Sequence, residues 1–164
     1  MKKAIFLDRD GVINHDPGDY TTSITEFTIL PEVIPTLVKW SDQGFVIVVI
    51  TNQGGIAKER YTLDDFYEID EFMKSEFLKA GVNYLDTYFC PHHDATSHCL
   101  CRKPHSGMIE KAIASHGIDP HLSVMIGDKW RDLEAAEGAG VKGIKIDVNQ
   151  SLKNLDITQY STQP

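Results

Sequence analysis

The chain has little cysteine, no long apolar run and no excess of positive charge. Its three cysteines are too few and the wrong number for a disulfide framework. All of them lie between residues 90 and 101 beside histidines, which is the usage of a metal-ligating segment in a reducing, cytoplasmic setting. No stretch approaches the roughly 20 apolar residues of a membrane span. Met1-Lys2-Lys3 is basic, but the apolar run behind it meets charge at Asp8, too early for a signal-peptide core. Sixteen basic against twenty-four acidic side chains, a formal charge of -8, exclude a general nucleic-acid surface. An anionic substrate stays open, because a local cluster of cations reverses the potential inside one cleft. Repeats and linkers are absent as well. The 164 residues are therefore expected to form one domain, 1-164, with a polar, loosely held tail from about residue 149.

What is present starts with Ile5-Phe6-Leu7-Asp8-Arg9-Asp10-Gly11-Val12-Ile13. An apolar run that stops at two carboxylates one residue apart reads as a buried parallel strand with its chemistry at the C-terminal end. In an extended strand Asp8 and Asp10 point to one side, and Gly11 lets the backbone turn away. Carboxylates that close repel, so the pair calls for a divalent cation or a shared proton.

Further along, residues 14–30 are too polar for a regular helix and read as a long loop over the strand ends. Pro31 opens a helix through Trp40 to Gly44, and residues 45–50 form a second, wholly apolar strand. Thr62 and Asp65 form a capping arrangement for a helix whose face carries Leu63, Phe66, Ile69, Phe72, Met73 and Phe77. Leu85 to Phe89 makes a third strand. Ser106 caps a helix ending near Gly117, residues 124–126 form a fourth strand, Leu133 to Ala139 a short helix and Val141 to Ile146 a last strand. Strands alternating with helices imply an α/β fold, a doubly wound parallel sheet.

Asp8-x-Asp10-Gly11, Thr51-Asn52, Lys103 and Gly127-Asp128 with Asp132 resemble, in order and spacing, the four motifs of the haloacid-dehalogenase-like phosphotransferases. More narrowly, residues 7–14, Thr51-Asn52-Gln53, Cys90-Pro91-His92-His93 and Cys101-Arg102-Lys103-Pro104 resemble the D-glycero-D-manno-heptose 1,7-bisphosphate 7-phosphatases and their relatives, the histidinol-phosphate phosphatases. The resemblance runs from about Lys3 to Ile146. It implies a Rossmannoid phosphatase acting on a small phosphorylated sugar, expected as a monomer, without a membrane or nucleic-acid partner.

Phosphoryl transfer requires a nucleophile, a proton donor for the leaving oxygen and positive charge around the transferring group. Asp8 suits the nucleophile and Asp10 the acid and base. In the resembled superfamily Asp10 ligates the metal through its backbone carbonyl, so Asp8, Asp10 and Asp128 make an oxygen-only set suited to Mg²⁺. Thr51 and the amides from Asn52 onward, through Gln53 and Gly54, offer donors to phosphate, and Lys103 offers a cation. Asp132 either orients Lys103 or a metal-bound water, or simply starts a helix. By resemblance Arg102 and Lys129 touch substrate, and Asp16, Pro17, Gly18 and Asp19 occupy the substrate-loop positions.

Cys90-x-His92 and Cys99-x-Cys101 offer three thiolates and an imidazole, the tetrahedral set of a structural Zn²⁺ site. His93 and His98 compete for the imidazole position, and the family's Cys-x-His pattern favours His92. The zinc-binding loop would then aim Arg102 and Lys103. Two features depart from the family: Gly54 stands where many relatives carry Ser, and the segment between the cysteine pairs is short. No insertion before Thr51, or between it and Lys103, is long enough for a separate cap domain. A receiver-like phosphoacceptor module is the rival from another class; it places its acceptor carboxylate on a middle strand of the sequence, not the first.

Overall fold

The computed structural model describes residues 1–157. Among these, β1 (Lys3–Leu7), β2 (Phe45–Asn52), β3 (Tyr84–Cys90), β4 (Val124–Gly127) and β5 (Lys142–Lys145) form one parallel sheet in the order β3-β2-β1-β4-β5. Leu7 lies between Val49 and Ile126 in register. The central strands are apolar on both faces because helices cover both. Ile5, Leu7, Ile47, Val49 and Ile126 share a core with α1 (Val33–Asp42) and α2 (Leu63–Ala80). Ala4, Phe6, Val48 and Ile50 meet α3 (Gly107–His116) and α4 (Trp130–Gly138) on the other side. No cap domain is present among the described residues, and none of their helices is long and apolar enough to cross a membrane.

From β1 the chain winds outward to β2 and β3 on one side and later to β4 and β5 on the other. That reversal opens a crevice beyond the C-terminal ends of β1 and β4, where an open α/β sheet binds its ligand. The loop over residues 14–30 is closed at its base by His15 N donating to Thr28 O (2.9 Å) and Leu30 N to Ile13 O (2.9 Å). The capping box of α2 is formed as expected: Asp65 N donates to Thr62 Oγ1 (3.1 Å) and Thr62 N to Asp65 Oδ2 (2.7 Å).

Four expectations need correction. Leu63 is 41% exposed, since as the first residue of α2 it precedes the turn that meets the core. Ser106 makes no backbone cap; its hydroxyl donates to Glu110 Oε1 (2.6 Å). α4 begins at Trp130, not Leu133, which places Asp132 inside the first turn. The tail is not loose as far as residue 157: Leu152 and Ile157 are buried in the core, and Asn149 Oδ1 accepts from Asp16 N (2.7 Å). Residues 158–164 of that expected tail lie outside the described residues.

Candidate active site

Asp8 follows β1 directly, its N–H donating to Ile126 O (3.1 Å) across to β4. Gly11 turns the chain with φ 85°, and a Cβ there would stand 3.0 Å from Asp128 Oδ2. Glycine therefore serves both the turn and the approach of the third carboxylate. Beneath Asp8 lies Lys103, 1% exposed, its Nζ 2.9 Å from Asp8 Oδ1 and 2.7 Å from Asp132 Oδ1, and donating to Ile50 O (2.7 Å). Asn52 holds Lys103 by its backbone: Asn52 Oδ1 accepts from Lys103 N and Asn52 Nδ2 donates to Lys103 O, both 3.0 Å. Asp132 combines the two roles weighed from sequence, because its Oδ2 also accepts from Lys129 N (3.0 Å) at the start of α4.

One cation among this many carboxylates leaves negative charge in excess. Burial, working against the pull of Lys103 and aided by Asp132 and Asp10, pushes the Asp8 carboxyl up to about 7, while Lys103, flanked by Asp8 and Asp132, stays protonated. Side-chain oxygens of Asp8, Asp128 and Asp132 lie within 4.8 Å of one another. Asp128 Oδ1 is buried and has no hydrogen-bond partner among the described residues, although Lys129 Nζ reaches Oδ2 at 2.5 Å. A buried, hard, unpaired oxygen beside two more carboxylates suits a small divalent cation. Both oxygens of Asp132 are engaged, Oδ1 by Lys103 and Oδ2 by the Lys129 amide, whereas on Asp8 the Lys103 and Arg9 bonds both fall on Oδ1, so Asp8 and Asp128 are the side chains left to hold one.

Asp10 is held at both oxygens. Oδ1 accepts from Arg9 Nη2 and Asn14 Nδ2, and Oδ2 from Gln53 Nε2, each at 3.0 Å. Burial favours the neutral acid, but the Arg9 charge and these hydrogen bonds outweigh it and keep the carboxyl below its usual range. Gln53 Nε2 also donates to Thr51 Oγ1 (2.8 Å), and Tyr61 donates its hydroxyl to Gln53 Oε1. Arg9 is 1% exposed, its guanidinium lying 5.7 Å and 5.9 Å from the ring centroids of Phe27 and Phe66.

The cleft above these groups, about 480 Å³, is walled by Asp8, Asp10, Asp16, Asn52, Gln53 and Lys129, among others. Asp16, Gly18 and Asp19 of the loop over residues 14–30 line it too, with Asp19 ion-paired to Arg60 at 2.9 Å. Thr51 and Lys103, each 1% exposed, are not among its walls. Arg102 and Gly54 are not among its walls. The Arg102 guanidinium is turned to the cysteine loop, Nη1 donating to His92 O (3.0 Å) and Nε 3.5 Å from Asp94 Oδ2. A side chain at Gly54 would require its neighbours to shift: a Cβ would stand 2.8 Å from His93 Cδ2 and 3.1 Å from Arg102 Nη1.

Cys90, His92, Cys99 and Cys101 converge, whereas His93 and His98 stay outside the group. Their facing atoms are 3.2 Å (Cys90–Cys101), 3.3 Å (His92 Nδ1–Cys101), 3.5 Å (Cys90–His92 Nδ1) and 3.6 Å (Cys90–Cys99) apart. A tetrahedron with Zn–S and Zn–N bonds of ordinary length has S–S edges of about 3.8 Å and S–N edges of about 3.5 Å, so Cys90–Cys99 and Cys90–His92 lie near those edges, while the two separations to Cys101 are shorter. Sequence reasoning gave no role to Arg9, Asn14, Tyr61 or Arg131, which hold Asp10, fix Gln53 or line the cleft. Arg9 and Asn14 flank a recognised motif, and that proximity was the available signal. Tyr61 and Arg131 had none.

Known proteins carry the same pattern. A HAD-hydrolase-like family model matches residues 100–153. The chain is 41% identical over 147 residues to D-glycero-beta-D-manno-heptose-1,7-bisphosphate 7-phosphatase of Pasteurella multocida, an alignment spanning 87% of this chain and 79% of that protein. It is 38% identical over 145 residues to D-glycero-alpha-D-manno-heptose-1,7-bisphosphate 7-phosphatase of Photorhabdus laumondii, spanning 85% and 79%. The solved D,D-heptose 1,7-bisphosphate phosphatase from B. bronchiseptica, complexed with magnesium and phosphate, matches with a TM-score of 0.80 at 30% identity over 86% of this chain and 78% of that one. The fold is that of a haloacid-dehalogenase-like hydrolase, and the protein is an enzyme, a phosphoric monoester phosphatase. Within that class the chain belongs to the D-glycero-D-manno-heptose 1,7-bisphosphate 7-phosphatase family. The receiver-like alternative falls with that assignment.

Proposed function

We propose that this enzyme removes the 7-phosphate of D-glycero-D-manno-heptose 1,7-bisphosphate by way of an aspartyl-phosphate, the acyl phosphate of Asp8. The observation that carries the reading is Asp8 itself, on the cleft floor with Lys103 Nζ at 2.9 Å and Asp128 beside it. Mg²⁺ held by Asp8, Asp128 and the Asp10 carbonyl supplies positive charge that offsets both the carboxylates and the phosphate.

An Asp8 oxygen attacks phosphorus as the bond to the sugar oxygen breaks, splitting one difficult hydrolysis into two steps. Lys103 pulls Asp8 toward its ionised form and aims it, and Thr51 with the amides after it donates to the phosphate oxygens. Asp10 enters the cycle ionised. The negative charge of an arriving phosphate favours uptake of a proton by Asp10 from solvent, and the protonated form donates that proton to the leaving alkoxide. The same carboxylate then takes a proton from water, whose oxygen attacks phosphorus and returns Asp8 and inorganic phosphate. Lys129, reaching from α4 over the cleft, and the substrate loop at Asp16 and Asp19 contact the sugar. Arg102 and the backbone around Gly54 act at the outer rim, where the zinc-held loop sets their position. We read the chain as one domain acting as a monomer, and a thiolate zinc site suits a reducing cytoplasm.

The test is Mg²⁺-dependent phosphate release from both anomers of heptose 1,7-bisphosphate and from histidinol phosphate, compared by kcat/KM. A preference of about a hundredfold for one bisphosphate anomer, about 2.7 kcal/mol of transition-state discrimination, is the expected result. Preference for histidinol phosphate overturns the assignment while leaving the mechanism standing.

A further inference from the structure

Tyr61 lies just ahead of α2, outside every motif of the site, yet it is 6% exposed and borders the cleft. Its hydroxyl donates to Gln53 Oε1. The other end of that amide donates to Asp10 Oδ2 at 3.0 Å and to Thr51 Oγ1 at 2.8 Å. We infer that Tyr61 is a positioning residue for the reaction: it fixes which way the Gln53 amide faces, and through that amide it holds Asp10 and Thr51 in place. The inference rests on the reading of Asp10 as the acid and base.

A glutamine amide presents a donor and an acceptor of nearly the same shape, so its direction is set by its neighbours. A hydroxyl donor at Oε1 leaves Nε2 for the carboxylate. Burial pushes the Tyr61 phenol up, so it remains a donor at any working pH. Without that hydroxyl, Oε1 becomes a buried acceptor with no partner, and the amide gains by rotating away from Asp10. Arg9 and Asn14 grip only Oδ1. Asp10 would then pivot about Oδ1 and stay in the cleft with its second oxygen unguided. The ring itself is placed by Tyr20, centroids 6.0 Å apart, and by Gly55, where a Cβ would fall 2.2 Å from Tyr61 Cε1. Phenylalanine keeps both contacts, so Tyr61→Phe removes the hydroxyl alone.

The experiment is a double-mutant cycle of Tyr61→Phe and Gln53→Ala, read as kcat and KM on heptose 1,7-bisphosphate with Mg²⁺ and as melting temperature, with Asp10→Asn run alongside. Tyr61→Phe is expected to lower kcat about tenfold or more, as small misplacement of a reacting group does. KM should stay within about twofold, and in the Gln53→Ala background the same change should add almost nothing. A rise in KM at unchanged kcat, an equal loss in both backgrounds, or wild-type kinetics overturns the inference. Gln53→Glu keeps an acceptor for Tyr61 but turns a second carboxylate oxygen toward Asp10, so a loss at least as large as in Gln53→Ala is expected and wild-type activity counts against the proposal. Full activity in Asp10→Asn would sink the acid–base reading itself; an inactive Asp10→Asn beside a wild-type-like Tyr61→Phe would sink the inference only.

Discussion

Lys103 Nζ sits 2.7 Å from Asp132 Oδ1 and 2.9 Å from Asp8 Oδ1, so one buried cation joins Asp8, the nucleophile of the proposed mechanism, to the carboxylate that starts α4. The arrangement makes catalytic geometry and local stability the same interaction. Lys103→Met leaves two buried carboxylates without their cation, and the expected cost is about 3–5 kcal/mol in denaturant unfolding together with loss of turnover. Adding Asp132→Asn to Lys103→Met should recover part of the stability and none of the activity. Recovery of neither would mean that the pair is not coupled.

The charge excess around Asp8 also sets a pH dependence. Its folded-state carboxyl lies at about 7 against an ordinary 3.8. Between those values the folded chain holds a proton that the unfolded chain has released, so stability falls as pH rises through the window. In zinc-replete protein freed of Mg²⁺, urea midpoints should drop from pH 5 to pH 8, with a slope from this group of at most about 1.4 kcal/mol per unit. Asp8→Asn should flatten that slope and abolish turnover. A rising midpoint over the same range, unchanged by Asp8→Asn, would contradict the charge assignment.

Cys99 stands 3.6 Å from Cys90 across the loop that carries His92 and Arg102. Because metal binding supplies folding energy to such a loop, Cys99→Ser is expected to lose bound zinc and lower the melting temperature. Amide exchange over residues 90–102 should quicken, and KM should rise more than kcat falls, since the loop aims Arg102 while the Asn52 clamp still seats Lys103. Full zinc content at an unchanged melting temperature would refute the ligand set.

The parts of the fold readable in advance are those where one local signal dominates. β1 and β2 are apolar runs ending in polar residues, and α2 carries both a capping box and a helical stripe. The start of α4 is hidden in the sequence because Trp130, 67% exposed, and Lys129 break the apolar period. Leu152 and Ile157 are lone apolar residues in a polar stretch, where no periodicity reveals that tertiary packing will bury them. In the site, residue types at motif spacing located Asp8, Asp10, Asp128 and the cysteine group. The Tyr61–Gln53–Asp10 chain escaped because it joins residues brought together only by the fold.

Gly54 was legible as a departure from the family's usual Ser, but its reason is spatial. The His93 ring and Arg102 Nη1 occupy the place of a side chain, and His92 O lies 3.2 Å from where a Cβ would stand. Ring and guanidinium can shift, but the carbonyl belongs to the segment that carries the zinc set. Gly54→Ser should therefore overpack this corner at a cost of about 1–3 kcal/mol. KM for the heptose bisphosphate should rise as Arg102 is displaced from His92 O, a bond of 3.0 Å. His93→Ala, by clearing the nearest contact, should restore the part of the stability owed to the ring when combined with Gly54→Ser, leaving the part owed to the His92 carbonyl. If Gly54→Ser alone were neutral in both melting temperature and KM, the corner would be loose enough to take a hydroxyl. The glycine would then owe nothing to His93.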